Sequence, residues 1–209
     1  MIKNNYKKIF LRKKTGFTII ESLVAIFILI LSITGPMAFT QSGLRAAFVS
    51  RDQITAFFLA QDAIEYIKNV RDNNSIDILN AGGATSINWV TDLDPCEVDS
   101  LDERGCTVDT ALDEIKECFI NQTGCLNSSP DGSDDVPLKV YSNDIKNNMY
   151  GYLGFTGSED SIFSREIKMI KTAEDEYEIN VFVRWNTNET IGSRQIVVKE
   201  YIYNWAAGF

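Results

Sequence analysis

The sequence contains no histidine in its 209 residues. Histidine is the commonest general base, the commonest metal ligand and the side chain that titrates near neutral pH, so three frequent routes to chemistry are missing. The G-x-S-x-G nucleophile motif, the Walker A loop and the dinucleotide-binding fingerprint are also absent from the sequence. We therefore expect that the protein is not an enzyme and that it needs no cofactor.

Basic residues are few and unevenly placed. The chain has 20 lysines and arginines against 29 acidic residues, a net charge of -9. Such a balance argues against a broad basic surface for nucleic acid, so we expect no direct nucleic-acid binding. Residues 1–16 hold six basic residues and no acidic one, and every acidic residue follows them. The basic start and the acidic remainder are therefore suited to different surroundings.

The four cysteines form no C-x-x-C pair, and their spacing is poor for zinc. If the acidic part of the chain is exported, their even number favours two disulfides. Four cysteines can pair in three ways. The pairing with the shortest separations in sequence joins Cys96 to Cys106 and Cys118 to Cys125. The alternative is four reduced cysteines inside a core.

Acidic residues are concentrated between Asp92 and Glu117, a stretch that is most often a solvated face. A short helix over residues 109–120 is expected there, in an irregular region that disulfides would hold together. The later stretch Asp131–Asp135 offers oxygen atoms, but its spacing does not match an EF-hand calcium loop. We therefore expect an acidic turn and no metal site.

Glu21 is followed by a long apolar run, Ser22–Leu44, which is 23 residues without a charge. As a helix it would be about 34 Å long, close to the roughly 30 Å hydrocarbon core of a bilayer. The basic residues before it predict a cytoplasmic N-terminus and an acidic part across the membrane. A cleaved secretory signal is the alternative, but its apolar stretch is about 7–15 residues and ends at a small-residue cleavage site.

Beyond Leu44 the apolar residues continue at helical spacing, now interleaved with charged ones. The pattern predicts one helix of about 55 residues over Phe17–Arg71, whose first half crosses a membrane and whose second half is amphipathic. Gly35 and Pro36 predict a kink or a local unwinding, either an ordinary membrane-helix kink or a functional hinge.

Three alternating stretches rich in Val, Ile, Tyr and Phe end the chain. They predict an antiparallel meander over Ser164–Thr172, Tyr177–Trp185 and Arg194–Trp205. One face of this sheet needs a cover, and the amphipathic half-helix supplies one. The side chains expected to form this cover are Ile54, Phe57, Phe58, Ile64 and Ile67. The predicted fold class is therefore α+β, a long N-terminal helix packed on a small C-terminal antiparallel sheet.

The stretch KKTGFTIIES resembles the processing site of type IV prepilins and type II secretion pseudopilins. The shared features are Lys13, Lys14 and Gly16, then an aromatic Phe17, then Glu21 at the fifth position after the junction. The resemblance implies that a prepilin peptidase cleaves between Gly16 and Phe17 and methylates the new amine of Phe17. It also implies that Glu21 meets the N-terminal amine of a neighbouring subunit. The alternative is that Glu21 lies at the lipid headgroups and does little.

The stretch Ile54–Asn74 and the closing Glu200–Trp205 look like the minor pilins labelled type IV pilus modification protein V, and are also similar to minor pseudopilin I of type II secretion. By this resemblance the chain has a pilin-like fold and is a minor pilin. It would be held in the bacterial inner membrane and then displayed in a pilus that it primes or equips for adhesion. The alternatives are a minor pseudopilin of a secretion or competence system, or a membrane-tethered binding module that does not polymerise.

The same resemblance implies four kinds of partner: the prepilin peptidase, other pilin or pseudopilin subunits bound through the N-terminal helix, the inner-membrane assembly platform, and membrane lipid before assembly. The resemblance and the residue patterns together give the expected domain organisation. It consists of a removed basic leader, residues 1–16; a transmembrane and assembly half-helix, 17–44; an amphipathic half-helix, 45–72; an acidic, cysteine-containing variable region, 73–148; and a β-sheet region, 149–209.

Overall fold

A computed structural model of the chain describes residues 16–82, 88–101, 103–119, 124–126, 135–141, 149–152, 158–186 and 192–207. The basic leader with Lys13 and Lys14, and residues 131–134 of the acidic turn, lie outside the described residues. The chain divides into two compact units, Met1–Phe48 and Val49–Phe209, which are treated separately below.

The N-terminal element is a 62-residue α-helix, α1, over Ile19–Asn80. The long predicted helix is confirmed, but its predicted end at Arg71 is wrong. Asn74 is buried, and its side-chain amide donates to the carbonyl oxygen of Thr91 at 2.7 Å. Asn74 therefore binds a neighbouring loop, and the polar residues after Arg71 do not end the helix. Residues 35 and 36 are helical, so the local unwinding considered at Pro36 does not occur.

In the part of the chain that the structure describes, eight strands follow the helix, in two antiparallel sheets. The larger sheet has the order β2-β1-β6-β7-β8, and the smaller has the order β4-β3-β5. Their bounds are β1 Cys106–Asp109, β2 Glu114–Glu117, β3 Lys139–Tyr141, β4 Met149–Gly151, β5 Glu159–Asp160, β6 Phe163–Ala173, β7 Glu176–Asn186 and β8 Ser193–Tyr203.

Strands β6, β7 and β8 are the predicted C-terminal meander, which is confirmed. Val181 of β7 lies opposite Ile167 of β6 on one side and Val198 of β8 on the other. The helix predicted over residues 109–120 is wrong, because this stretch forms most of the β1–β2 hairpin. The carboxylate of Asp109 accepts from the backbone N–H groups of Ala111 and Leu112, both at 3.1 Å, and this side-chain capping favours a turn over a helix.

The core of the second unit lies between α1 and the larger sheet. The helix contributes small and aliphatic residues, and the sheet contributes the alternate side chains of β6 and β7. The buried residues are Ala56, Leu59, Ala60, Ala63, Ile64 and Ile67 from the helix, with Ile167, Met169, Ile179, Val181 and Val183 from the sheet. Ile64 and Ile67 thus cover the sheet as expected.

Three of the five residues expected to cover the sheet do not. Ile54, Phe57 and Phe58 are 56%, 46% and 63% exposed. The helix presents alanines to the sheet in their place, because small side chains let a helix backbone come close to a neighbouring layer.

Both predicted disulfides are formed, Cys96–Cys106 and Cys118–Cys125, and all four cysteines are buried. The first bond ties the short 3-10 helix Asp94–Cys96 to the start of β1, and the second ties the end of the hairpin to residues 124–126. The acidic, cysteine-bearing region is therefore covalently attached at both ends of the hairpin.

Candidate assembly segment

The helix α1 begins with a capped first turn. The backbone N–H of Glu21 donates to Oγ1 of Thr18 at 3.3 Å, and the N–H of Ser22 donates to the carbonyl oxygen of Thr18 at 3.1 Å. A threonine followed three residues later by glutamate is the sequence signature of a capping box. Thr18 is thus a positioning residue that the sequence analysis did not single out, although its signal was present.

The junction between Gly16 and Phe17 is open to solvent. Phe17 is 77% exposed, and a Cβ placed on Gly16 would meet no atom within 4 Å. Both residues precede the first helical residue, Ile19. A peptide bond that lies outside regular structure and has no close neighbours in the described part of the chain is accessible to an enzyme.

Glu21 is exposed in the first turn of the helix. A carboxylate there is favoured by the partial positive charge of the helix N-terminus. Among the residues that the structure describes, none donates to this carboxylate or forms an ion pair with it. The position of Glu21 is therefore locally favourable, while its negative charge has no counter-charge in the described part of the chain.

Behind Glu21, residues 22–44 present apolar side chains on every side of the helix, and all of them are exposed. By length and composition this helix can span a membrane. Its few hydroxyl groups donate to backbone carbonyl oxygens of the preceding turn, as Ser32 does to Ile28 at 2.7 Å and Thr40 to Pro36 at 2.8 Å. Such internal satisfaction lets polar side chains enter lipid or pack against another apolar helix.

In the second unit, buried polar side chains hold the fold together. The guanidinium of Arg165 is fully buried and donates to the carbonyl oxygens of Leu59, at 2.8 Å, and Val108, at 2.7 Å, and to Oδ2 of Asp62, at 3.1 Å. Burial lowers the pKa of Arg165, and the carboxylate of Asp62 opposes that change. These contacts connect the helix, the hairpin and the central sheet.

Asp109 is a second buried charge. Besides the turn amides of its own hairpin, it accepts from the hydroxyl of Tyr141 at 2.6 Å and from the backbone N–H of Tyr152 at 3.1 Å. Its acceptor positions are used by protein donors, which suits a structural role. Among the described residues, no group of three or more acidic, cysteine or histidine side chains is placed to hold a metal ion.

An apolar groove lies on the second unit between the exposed side of α1 and strand β8. Its volume is about 540 Å³, and no charged residue lines it. The lining residues are Ser50, Gln53, Ile54, Phe57, Phe58, Ile196, Val197 and Val198. The side chains that were expected in the core form this surface.

The structure brings Gly16, Phe17 and Glu21 together around the start of one helix, with Gly35 and Pro36 farther along it and the four cysteines in the second unit. A scan against models of protein families, a search among curated proteins and a search among solved structures return no match to this chain.

Proposed function

We propose that this chain is a minor subunit of a type IV pilus. A prepilin peptidase cuts it between Gly16 and Phe17 and methylates the new amine of Phe17. The apolar helix then anchors the mature protein in the bacterial inner membrane, with its N-terminus on the cytoplasmic side and its acidic part outside. The assembly platform moves it from the membrane into a filament, where its helix packs against those of other subunits.

The observation that carries this proposal is the arrangement at the start of α1. An exposed junction, a carboxylate without a counter-charge in the described chain, and a wholly exposed uncharged helix follow one another within a few residues. A membrane anchor alone requires only the apolar helix. The junction and the carboxylate are the additional features that an assembling subunit uses.

Glu21 sets the register of assembly in this account. Removing a carboxylate from water is costly unless it is paired and hydrogen-bonded. The methylated amine of Phe17 on a neighbouring subunit supplies that partner when two helices pack at one axial offset. Slipped offsets leave Glu21 buried without a partner, so the charge selects a single register.

The acidic second part of the chain favours a low copy number. After removal of residues 1–16 the protein has 14 basic and 29 acidic residues. Such a charge repeated at every position of a filament would repel itself. A subunit present in few copies avoids this repulsion, which supports a minor role in priming assembly or in adhesion.

Replacing Gly16 tests the proposal. We expect Gly16→Val to block cleavage, so that the chain stays at full length in the membrane and is missing from filaments sheared off the cells. Gly43→Val is the matched control, because Gly43 lies beyond the junction and a Cβ there also meets no atom within 4 Å. It should be processed normally. The measurements are the chain mass, the N-terminal residue and the amount in sheared filaments.

Surface display of the Gly16→Val protein at wild-type levels would contradict the proposal and would favour a membrane-tethered module. A wild-type protein that keeps residues 1–16 in its native membrane would contradict it as well.

A further inference from the structure

The outer edge of β6 is covered in an unusual way. Strand β1 lies beside it in the sheet but pairs with it at a single position, Cys106 opposite Ile167. Strand β6 is 11 residues long. One register pair therefore leaves most of this edge to be satisfied by something other than a neighbouring strand.

Separate short segments supply the missing hydrogen bonds. The N–H of Val98 donates to the carbonyl oxygen of Met169 at 2.9 Å. The N–H of Arg165 donates to the carbonyl oxygen of Gly124 at 2.8 Å. The N–H of Leu138 donates to the carbonyl oxygen of Phe163 at 2.7 Å. We call residues 98, 106, 124 and 138 with their immediate neighbours the edge cover.

The two disulfides link the parts of the edge cover. Cys96–Cys106 joins the segment before Val98 to the start of β1. Cys118–Cys125 joins the end of the hairpin to the residue after Gly124. The N–H of Gly124 donates to the carbonyl oxygen of Val136 at 2.8 Å, which holds the segment leading to Leu138. The four contacts of the edge cover are thus linked to one another, and together they take the place of a neighbouring strand.

The edge cover also lies over charged side chains of β6. The N–H of Gly105 donates to Oε1 of Glu166 at 2.9 Å, and Nζ of Lys168 donates to the carbonyl oxygen of Leu101 at 2.7 Å. Glu166 and Lys168 are both buried and lie 3.7 Å apart. Losing the edge cover would expose these groups to water, so opening it costs little electrostatic energy.

We propose that the outer edge of β6 can bind a further strand and that the disulfide-linked edge cover prevents this. When the cysteines are unpaired, the β8 strand of a second copy pairs with this edge. Unpaired edges are templates for pairing with another chain. In the described sheet, β8 pairs on one side only, with β7, and it has 11 residues like β6.

A contact between β6 of one copy and β8 of the next joins two different surfaces, so it is heterologous and continues into rings or open-ended oligomers. The edge cover is locked when each cysteine pair is oxidised to a disulfide, which releases two electrons and two protons. The disulfide of a thiol oxidoreductase accepts them by thiol–disulfide exchange and is reduced to two thiols. Until then the chain is exposed to misassembly. This inference concerns the folded second unit and does not depend on the proposed function.

The test uses the full-length chain in detergent micelles, with the double variants Cys96→Ala/Cys106→Ala and Cys118→Ala/Cys125→Ala. In dilute samples, in which the variants are still monomers, we expect the amides of Val98, Arg165 and Leu138 to exchange with deuterium about tenfold or more faster, while amides of β7 stay protected, because local opening costs less than global unfolding. A docked strand would protect the Arg165 amide again. We also expect oligomers that grow with protein concentration. Monomers with a protected Arg165 amide would overturn the proposal.

If the double variants unfold, a variant that retains all four cysteines tests the proposal. A Cβ on Gly105 would lie within 3 Å of the backbone of Ile167, so Gly105→Ala displaces the edge cover directly. Gly43→Ala is the control, since its Cβ meets nothing within 4 Å. We expect oligomers for Gly105→Ala and none for the control. An Arg165 amide that stays protected in dilute, monomeric Gly105→Ala would refute the inference.

The identity of the docking strand has its own test. Val197 of β8 is half exposed, and a lysine on an edge strand discourages pairing. Adding Val197→Lys to Gly105→Ala should return the protein to monomers while the Arg165 amide still exchanges fast. Oligomers that persist in this double variant would show that β8 is not the docking strand.

Discussion

At the scale of single residues, Arg165 shows how a buried charge is made tolerable. Its side chain is fully buried, whereas the side chain of its partner Asp62 is 42% exposed. Water therefore reaches the carboxylate of Asp62 but not the guanidinium of Arg165. Removing one partner has a different consequence from removing the other, and this asymmetry can be measured.

We predict that Asp62→Ala destabilises the protein by about 3 kcal/mol, because it removes the nearest counter-charge of a buried guanidinium. Arg165→Met should cost about 1–2 kcal/mol, because the carbonyl oxygens of Leu59 and Val108 each lose one donor, while an apolar chain of similar size fills the space and water solvates Asp62. The double variant should be no less stable than Arg165→Met alone. Urea unfolding of the full chain in detergent, followed by tryptophan fluorescence, gives the three values. The reverse order of the two single variants would contradict this account.

Glu178 is a mostly buried carboxylate that its neighbours stabilise. Hydrogen bonds from Lys199, Asn180 and Tyr201 lower the pKa of Glu178 to about 2. A depressed pKa in the folded state means that the stabilisation is present above the unfolded value and is lost as the pH falls toward 2. We predict that Lys199→Met raises the pKa of Glu178 toward its ordinary value. A carboxyl titration by NMR measures it, and an unchanged pKa would count against the role of Lys199.

At the scale of elements, long and regular sequence patterns predict the observed structure more accurately than short ones. The meander β6–β8 has three 11-residue strands with clear alternation, and it was predicted within two residues. The hairpin β1–β2 has two strands of four residues, and the local pattern wrongly predicts a helix over residues 109–120. Its stability comes from contacts distant in sequence, such as Tyr141 with Asp109, which no local pattern reveals.

Asp109 is the residue that makes this stretch a hairpin. We predict that Asp109→Asn destabilises the protein by about 1–3 kcal/mol. The asparagine NH2 group replaces one carboxylate oxygen, so it faces N–H or O–H groups that need an acceptor. Asp113→Asn is the matched control in the same turn. Asp113 has a positive φ of 59°, which asparagine adopts readily, so its effect should be below about 0.5 kcal/mol. Equal losses for the two variants in urea unfolding would refute the assignment.

The helix α1 shows where propensity and context diverge. Its apolar first half followed from the charge-free run, but the buried face of its second half did not follow from hydrophobicity. Ile54, Phe57 and Phe58 are the most apolar choice for a cover, yet alanines face the sheet and those three side chains line a groove. Which of two apolar stripes is buried depends on how closely the sheet approaches, a property of the assembled fold.

At the scale of the whole molecule, the two units separate the tasks. The second unit is a disulfide-linked α+β fold whose buried charges are used for its own stability. The first unit exposes an apolar helix that is unsuited to water. In the proposed filament this helix supplies the packing, and Glu21 supplies its register. The sequence predicts the candidate site as Gly16, Phe17 and Glu21, and it also holds the Thr18-x-x-Glu21 signature of the cap that the structure shows.

The most direct test of the central claim compares Glu21→Ala with wild type in sheared filaments. We predict that Glu21→Ala is cleaved and inserted in the membrane normally but is at least about tenfold depleted from filaments, because a lost ion pair of 1.4 kcal/mol or more lowers incorporation by that factor. Glu65→Ala is the control, an exposed glutamate on the same helix that should be incorporated normally. Wild-type amounts of the Glu21→Ala protein in sheared filaments would contradict the account.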